Sequence, residues 1–177
     1  MDTQVLVAYA TKYGATTEIA QRIGAMLRQT GLHTQVLPAD HVDDLTPYMA
    51  VVLGSAVYLG GWRKEAVAFL ETHEDWLAER PVWLFSSGPT GEGDPMKLMK
   101  GWRFPQTQQP IADRIHPHDI AYFHGKLDLK QLSLADRLIV KTIQAPIGDF
   151  RNWETITAWT TGISHTLREL VPTIFER

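Results

Sequence analysis

The chain contains no cysteine. Disulfides, thiol nucleophiles and iron–sulfur ligation are therefore excluded, and any redox chemistry must be that of a bound cofactor. No run approaches the roughly 18 apolar residues that a membrane-spanning helix needs. The first residues enter an apolar strand pattern without the basic-then-apolar signature of a secretory signal, which predicts a cytoplasmic protein. An excess of charge is missing too. Acidic residues number 20 and basic residues 17, and the net charge of −3 offers no electrostatic footprint for nucleic acid. Two nucleotide signatures are absent as well: there is no Gly-x-Gly-x-x-Gly after the first strand, and no Gly-x-x-x-x-Gly-Lys-Ser/Thr anywhere. With neither linker composition nor an internal repeat in 177 residues, a single α/β domain over residues 1–177 is expected.

What is present is organised around Val5 to Thr17. Val5–Ala10 is short and continuously apolar, as in a strand buried on both faces of a parallel sheet. From Ala15 the apolar residues Ile19, Ile23, Met26 and Leu27 recur at helical spacing, with Gly31 as the stop. Between strand and helix lies Thr11-Lys12-Tyr13-Gly14-Ala15-Thr16. The first-turn amides of such a helix lack intrahelical partners and sit at the positive end of the macrodipole, so an anion is at home there. The threonine hydroxyls add donors, and Gly14 permits close backbone approach. Few cations and many hydroxyls suit a terminal monophosphate. The same residues also read as an ordinary tight turn with Thr16 as helix N-cap.

Downstream, strands and helices alternate. Strands are expected at His33–Leu37, Met49–Gly54, Val82–Phe85 and Ile120–Phe123, with helices at Arg63–Glu79, from Ser133 to Gln144, and a last one starting at Asn152 or Asp149. The last helix would bury Trp153, Ile156, Trp159, Ile163, Leu167 and Leu170. Alternation of this kind demands a parallel sheet covered by helices on both faces. Ser86 to Asp119 reads as largely irregular, with a short helix near Met96–Met99. Ligands of such a sheet bind beyond the carboxyl ends of the strands where strand order reverses. Three loops converge there, Thr11–Thr17, Ser55–Trp62 and Ser86–Gly93, with Gly125 as a possible fourth neighbour. The first suits a phosphate, Tyr58 and Trp62 of the second can stack on a ring around a flexible Gly60-Gly61 pair, and the third offers backbone groups to a heterocycle edge.

In these features the chain resembles the flavodoxin family over nearly its whole length. The family's phosphate loop, Thr/Ser-x-Thr-Gly-x-Thr, falls on Thr11-Lys12-Tyr13-Gly14-Ala15-Thr16, with Tyr13 as the departure. That departure, with Gly54-Ser55-Ala56-Val57, Gly60, Asp136-Arg137, Lys141 and Trp153-Glu154, is similar to a branch that includes menaquinone-dependent protoporphyrinogen dehydrogenases. The resemblance implies a flavodoxin-like five-stranded sheet of order 2-1-3-4-5. It implies FMN held by Thr11, Lys12, Tyr13, Gly14, Ala15 and Thr16. Val57, Tyr58 and Gly60, and Ser86, Ser87, Gly88, Pro89 and Thr90, would surround the ring. It also implies an FMN-dependent oxidoreductase with a porphyrinogen-like or quinone-like small molecule as partner. The alternative is an electron carrier serving a redox partner protein. The acidic collar typical of the carriers has no counterpart in this near-neutral composition, and the Gly-Pro-Thr-Gly-Glu-Gly loop with Trp102 departs from the dehydrogenase branch.

Other residues have plainer readings. His116 and His118 sit together without a further ligand at metal-binding spacing, so no metal is expected. His124 reads as a core or surface histidine, or as a group titrating near the flavin. Asp149-Phe150-Arg151 forms a turn and helix cap. Lys130, Arg137 and Lys141 make a solvated charged face, or one that lies against a membrane surface.

Overall fold

The computed structural model describes residues 4–171. Five parallel strands form the main sheet: β1 (Gln4–Ala10), β2 (His33–Pro38), β3 (Tyr48–Tyr58), β4 (Val82–Ser87) and β5 (Asp119–Phe123), in the order β2-β1-β3-β4-β5. The helices are α1 (Ala15–Gln29), α2 (Lys64–Leu77), α3 (Gln109–Ile115), α4 (Leu134–Thr142) and α5 (Trp153–Leu170). None is long and apolar enough to cross a membrane, among the described residues.

Side chains alternate across a strand, and here each face has its own core. Leu6, Ala8, Val51, Leu53 and Leu84 meet Phe69, Leu70 and Leu77 of α2 on one side. Val5, Val7, Val52, Trp83 and Phe85 meet Ile19, Ile23 and Leu27 of α1, and Ile156, Ile163 and Leu167 of α5, on the other. Burial on both faces is why the strands read as continuous apolar runs. Gly54 is required by packing, since a Cβ there would lie 1.9 Å from the Phe85 ring.

Several expectations are corrected. β3 and β4 run on through Tyr58 and Ser87, so part of each supposed loop is strand. The Gly60-Gly61 pair is no open loop: Tyr58 pairs with Gly61 and Val57 with Trp62 in an antiparallel hairpin. Its two-residue turn holds Leu59 at φ 49° and Gly60 at φ 76°, the positive pair that matches strand twist. Residues 86–119 contain a helical turn at Pro95–Leu98 and also α3. Pro110 falls in the first turn of α3, where a missing N–H costs nothing. Leu170 is exposed rather than core.

The strand ends set up the site. After β5 the chain forms Lys126–Leu127, leaves, and returns at Gly148–Asp149, with Leu127 paired to Gly148. Residues 128–147, including α4, are thus a flap rooted on a two-stranded ribbon.

Candidate nucleotide site at the sheet edge

A cavity of about 310 Å³ lies at the carboxyl ends of β1, β3 and β4, where strand order reverses around β1. Its size falls within the range of small-molecule sites. The phosphate-type loop, the β3 hairpin, the loops after β4 and β5, and the flap all line it. A second groove, along the outer edge of β5, receives only Gly93 from the three converging loops.

The loop after β1 decides between the two readings of its sequence. The N-cap of α1 is Gly14, at φ 90° and without a side-chain cap, so Thr16 does not cap the helix. The Gly14 amide is taken by Thr11 Oγ1 at 3.0 Å, and the Glu18 amide by the Gly14 carbonyl. The amides of Ala15, Thr16 and Thr17 have no acceptor among the described residues, which leaves first-turn donors for an anion. Thr16 is fully buried, with Oγ1 3.2 Å from Ser87 Oγ, and this contact joins the loop to β4.

The floor is made by close backbone approach. A Cβ on Gly88 would stand 3.1 Å from Val57 Cβ, and one on Gly125 3.0 Å from the Gly88 carbonyl oxygen. The loops after β4 and β5 thereby meet as bare backbone, and the first of them also lies against Val57 at the end of β3. The loop after β4 is latched to the end of β5 by His124, whose Nδ1 lies 3.0 Å from the Pro89 carbonyl and Nε2 2.6 Å from that of Gly93.

The opposite wall is the flap, through Leu132, Asp136, Ile139, Val140, Ile143 and Ala145. Its tie to the rest is Asp136. One carboxylate oxygen accepts from the Tyr58 hydroxyl, and the other accepts from the Tyr13 hydroxyl and lies 2.6 Å from Lys12 Nζ. Tyr13 also accepts from the Ser133 amide, under the start of α4. Lys12 Nζ sits 4.4 Å from the centre of the Tyr58 ring, a cation–π contact. The bond with Lys12, then those from Tyr13 and Tyr58, hold the Asp136 carboxyl well below the usual carboxylate range. The same pairing pushes Lys12 up, and donation to Asp136 pushes Tyr58 up. Asp136 is little exposed chiefly because these partners cover it at the rim.

Of the residues singled out in the sequence, Thr11, Lys12, Tyr13, Ala15, Thr16, Val57, Tyr58, Gly60, Ser87, Gly88 and Thr90 line the cavity. Gly14 lies just outside, beside Glu18. Ser86 is turned into the core, accepting from Trp62 Nε1 at 2.8 Å and donating to the Arg103 carbonyl at 2.7 Å. Pro89 contributes a carbonyl to the latch, accepting from Gly125 as well. Trp62 is unavailable to a ring, since it is buried edge-on against Phe104. Trp102 packs on Tyr122, at the edge of the sheet. His118 stacks on Trp83, and no group of three potential metal ligands exists among the described residues.

Sequence reasoning missed the reach of Asp136, the inward side of the flap, and two arginines. Arg63 lines the cavity; its Nε is buried without a hydrogen-bond partner, 3.7 Å from Glu65 Oε2. Arg151 pairs with Asp149 through two bonds, with the Glu18 carboxylate, and with the Ala15 carbonyl, so it ties the flap's ribbon to α1. One signal was legible: Asp136 is the only acid in residues 129–147, a stretch otherwise basic.

The sequence profile of the Flavodoxin domain family matches residues 6–152. The chain belongs to that family. The family's cofactor is FMN, and the fold is its FMN-binding redox fold. No curated protein matches the sequence. Among solved structures, an archaeal flavodoxin superposes with a TM-score of 0.58 at 13% identity, over 93% of this chain and 99% of that one. Oxidised flavodoxin 2 from Bacillus cereus gives 0.59 at 18% identity, over 92% and 99%. Rubredoxin oxygen:oxidoreductase from Desulfovibrio gigas gives 0.60 at 13%, over 94% of this chain. The chain spans about a third of that oxidoreductase, 36% of its length. These likenesses establish the fold. The residues present fit the cofactor: free first-turn amides, buried hydroxyls at Thr16 and Ser87, bare backbone at Gly88 and Gly125, and an arginine with a hydrogen bond left to give.

Proposed function

We propose that this flavodoxin-domain protein is an FMN-dependent oxidoreductase that takes electrons from a bulky apolar reductant of the protoporphyrinogen class and passes them to a quinone. The observation that carries this reading is the wall opposite the phosphate loop, where Ile139, Val140 and Ile143 give the cavity a largely apolar lining. Charge points the same way. Lys12, Arg63 and Lys126 line the cavity with one carboxylate, Asp136; Lys12 pairs with Asp136 and Arg63 lies 3.7 Å from Glu65, so the lining carries no excess of negative charge. A carrier that docks basic partners by charge would carry such an excess.

Bound FMN supplies acceptance and release of electrons or hydride. In this reading the amides of Ala15, Thr16 and Thr17 and the Thr16 hydroxyl hold its phosphate, and Lys12 offsets part of that charge. Val57, Tyr58, Gly60, Gly88 and Thr90 border the ring, where Arg63 donates to an electronegative edge. The flap excludes water and presents hydrocarbon to the reductant.

The competing reading, a one-electron carrier, is favoured by the matching length of the flavodoxin neighbours. Anaerobic mixing of the FMN-loaded protein with protoporphyrinogen IX and then a menaquinone analogue, beside a parallel assay with ferredoxin–NADP reductase, separates the two. Bleaching of the flavin with porphyrin fluorescence and repeated turnover is expected in the first assay. Electron exchange with the reductase alone, and no porphyrin, overturns the enzyme.

A further inference from the structure

The structure leaves eight large hydrophobic residues exposed among those described, and five of them, Leu129, Leu134, Leu138, Ile143 and Ile147, fall within residues 129–147. Leu134 is 82% exposed and stands one helical turn from Leu138 on α4. Two more border the same end of the molecule. Leu59 lines the cavity mouth, and Leu98 neighbours Pro146 across Gly91, whose Cβ would meet both within 4 Å. Scattered exposed leucines are ordinary, but a cluster on one flap marks a contact surface.

Charge identifies the contact. Lys130, Arg137 and Lys141 are exposed on the same segment, and its one acid, Asp136, is buried in the bond with Lys12. Residues 129–147 thus show three positive charges and no exposed negative one, against the single half-buried Asp128 at their root, on a chain of net charge −3. The nearest other acids stand at the flap's root and beside it: Asp128 accepts from the Lys130 amide, Asp149 is paired with Arg151, and Glu92 is on the loop beside Pro146. A short helix with exposed leucines and interspersed cations has the chemistry of an interfacial segment, whose side chains enter the headgroup layer while its cations meet anionic lipid.

We infer that the 129–147 flap is a docking surface for an anionic lipid bilayer. Ile143 belongs to both surfaces of the flap, since it is 67% exposed and also lines the cavity. Docking therefore sets the apolar wall of the cavity next to the acyl region, where apolar reductants and quinones dissolve. This goes beyond the proposed activity and holds for either redox role.

The test is vesicle flotation of the full chain, with and without added FMN. One arm uses mixed phosphatidylglycerol–phosphatidylethanolamine vesicles and the other phosphatidylcholine alone. Flotation with the anionic vesicles is expected, falling steeply at about 0.5 M salt, where screening acts over a few ångströms. Arg137→Gln and Lys141→Gln should each weaken partitioning about fivefold, and Leu138→Glu should abolish it. All three positions are exposed, and circular dichroism verifies the fold of each variant. Equal flotation in the two arms, absence from both, or salt-insensitive binding overturns the inference. So does a concentration-dependent dimer that Leu138→Glu dissolves while anionic vesicles stay unbound, which would make a second copy the occupant. The readout involves no turnover, so failure of porphyrinogen oxidation leaves it intact.

Discussion

The cavity has two sides built on different principles. On the sheet side, Thr16 and Ser87 are buried and bonded to each other, while Gly88 lies so close to Val57, and Gly125 to the Gly88 backbone, that a methyl group would not fit without movement. On the flap side, α4 shows Leu134 and Leu138 to solvent and is fastened through Asp136 and the Tyr13–Ser133 contact. The sheet side is specified by packing, which tolerates little displacement. The flap is specified by a few polar contacts at the rim, which can release as a unit. Under the proposed function, a rigid cradle with a more loosely fastened apolar wall suits a cofactor that stays and a second ligand that comes and goes.

The largest effect should follow from breaking the rigid side. Thr16→Val keeps the shape of the side chain and removes its hydroxyl, so the fold is retained while the phosphate loses a donor. A hydrogen bond to a charged acceptor contributes about 1.5–3 kcal/mol, so FMN affinity should fall roughly 10- to 100-fold. Titration by quenching of flavin fluorescence measures it. Unchanged affinity would move the phosphate away from the start of α1.

Next comes the clasp. Asp136→Asn removes the charge that holds Lys12 and two phenols, and should weaken FMN by about tenfold while speeding protease cleavage within residues 128–147. An effect equal to that of Thr16→Val would erase the distinction between the two sides. The pH dependence has a definite sign. The folded-state pKa of Asp136 is depressed, by Lys12 first and then by Tyr13 and Tyr58. Its contribution is therefore complete above the ordinary carboxylate value of about 3.9 and is lost only as pH falls through the lower folded value. Lys12 and Tyr58 are raised, so their contribution is complete below their ordinary values, about 10, and is lost as pH rises through the higher folded ones. The stability contributed by the clasp should thus be flat from about pH 5 to pH 9. A drop centred near an ordinary carboxylate pKa would mean that Asp136 is not clasped in solution.

The same contrast explains what could be read from the sequence. The strands and the loop at Thr11–Thr16 rest on local signals: continuous apolar runs, helical spacing, and a glycine where the backbone turns into α1; the strand order followed only from the family resemblance. The clasp is long-range, joining Lys12 and Tyr13 to Asp136 across more than a hundred residues and Tyr58 to the same carboxylate. No periodicity encodes such a pairing. Tyr13 could be seen to depart from the family's phosphate motif, but only the fold shows that the lost hydroxyl is replaced by a phenol that fastens α4. Ser86, placed at the ring by the resemblance, and Trp62, placed there by its loop, are turned into the core by the extension of β3 and β4. The leucines of α4 follow a helical period, yet periodicity alone does not say whether a stripe meets a core, solvent or a membrane.

The smallest effect concerns the hairpin between the two sides. Leu59 holds a left-handed backbone at φ 49° and is 76% exposed, so it gains little from burial while bearing a conformational cost on the order of 1 kcal/mol. Asn-Gly is the favoured sequence for this two-residue turn. Leu59→Asn should therefore stabilise the protein, raising the midpoint of thermal unfolding by about 2–4 °C per kcal/mol recovered. It should also reduce vesicle association, because it removes one apolar side chain from the cavity mouth. A gain in stability with a loss in docking would mean that the leucine is kept against local preference for what it contacts outside the protein. If stability rises while docking is unchanged, the docking surface ends at the flap and Leu59 belongs to neither side of the comparison.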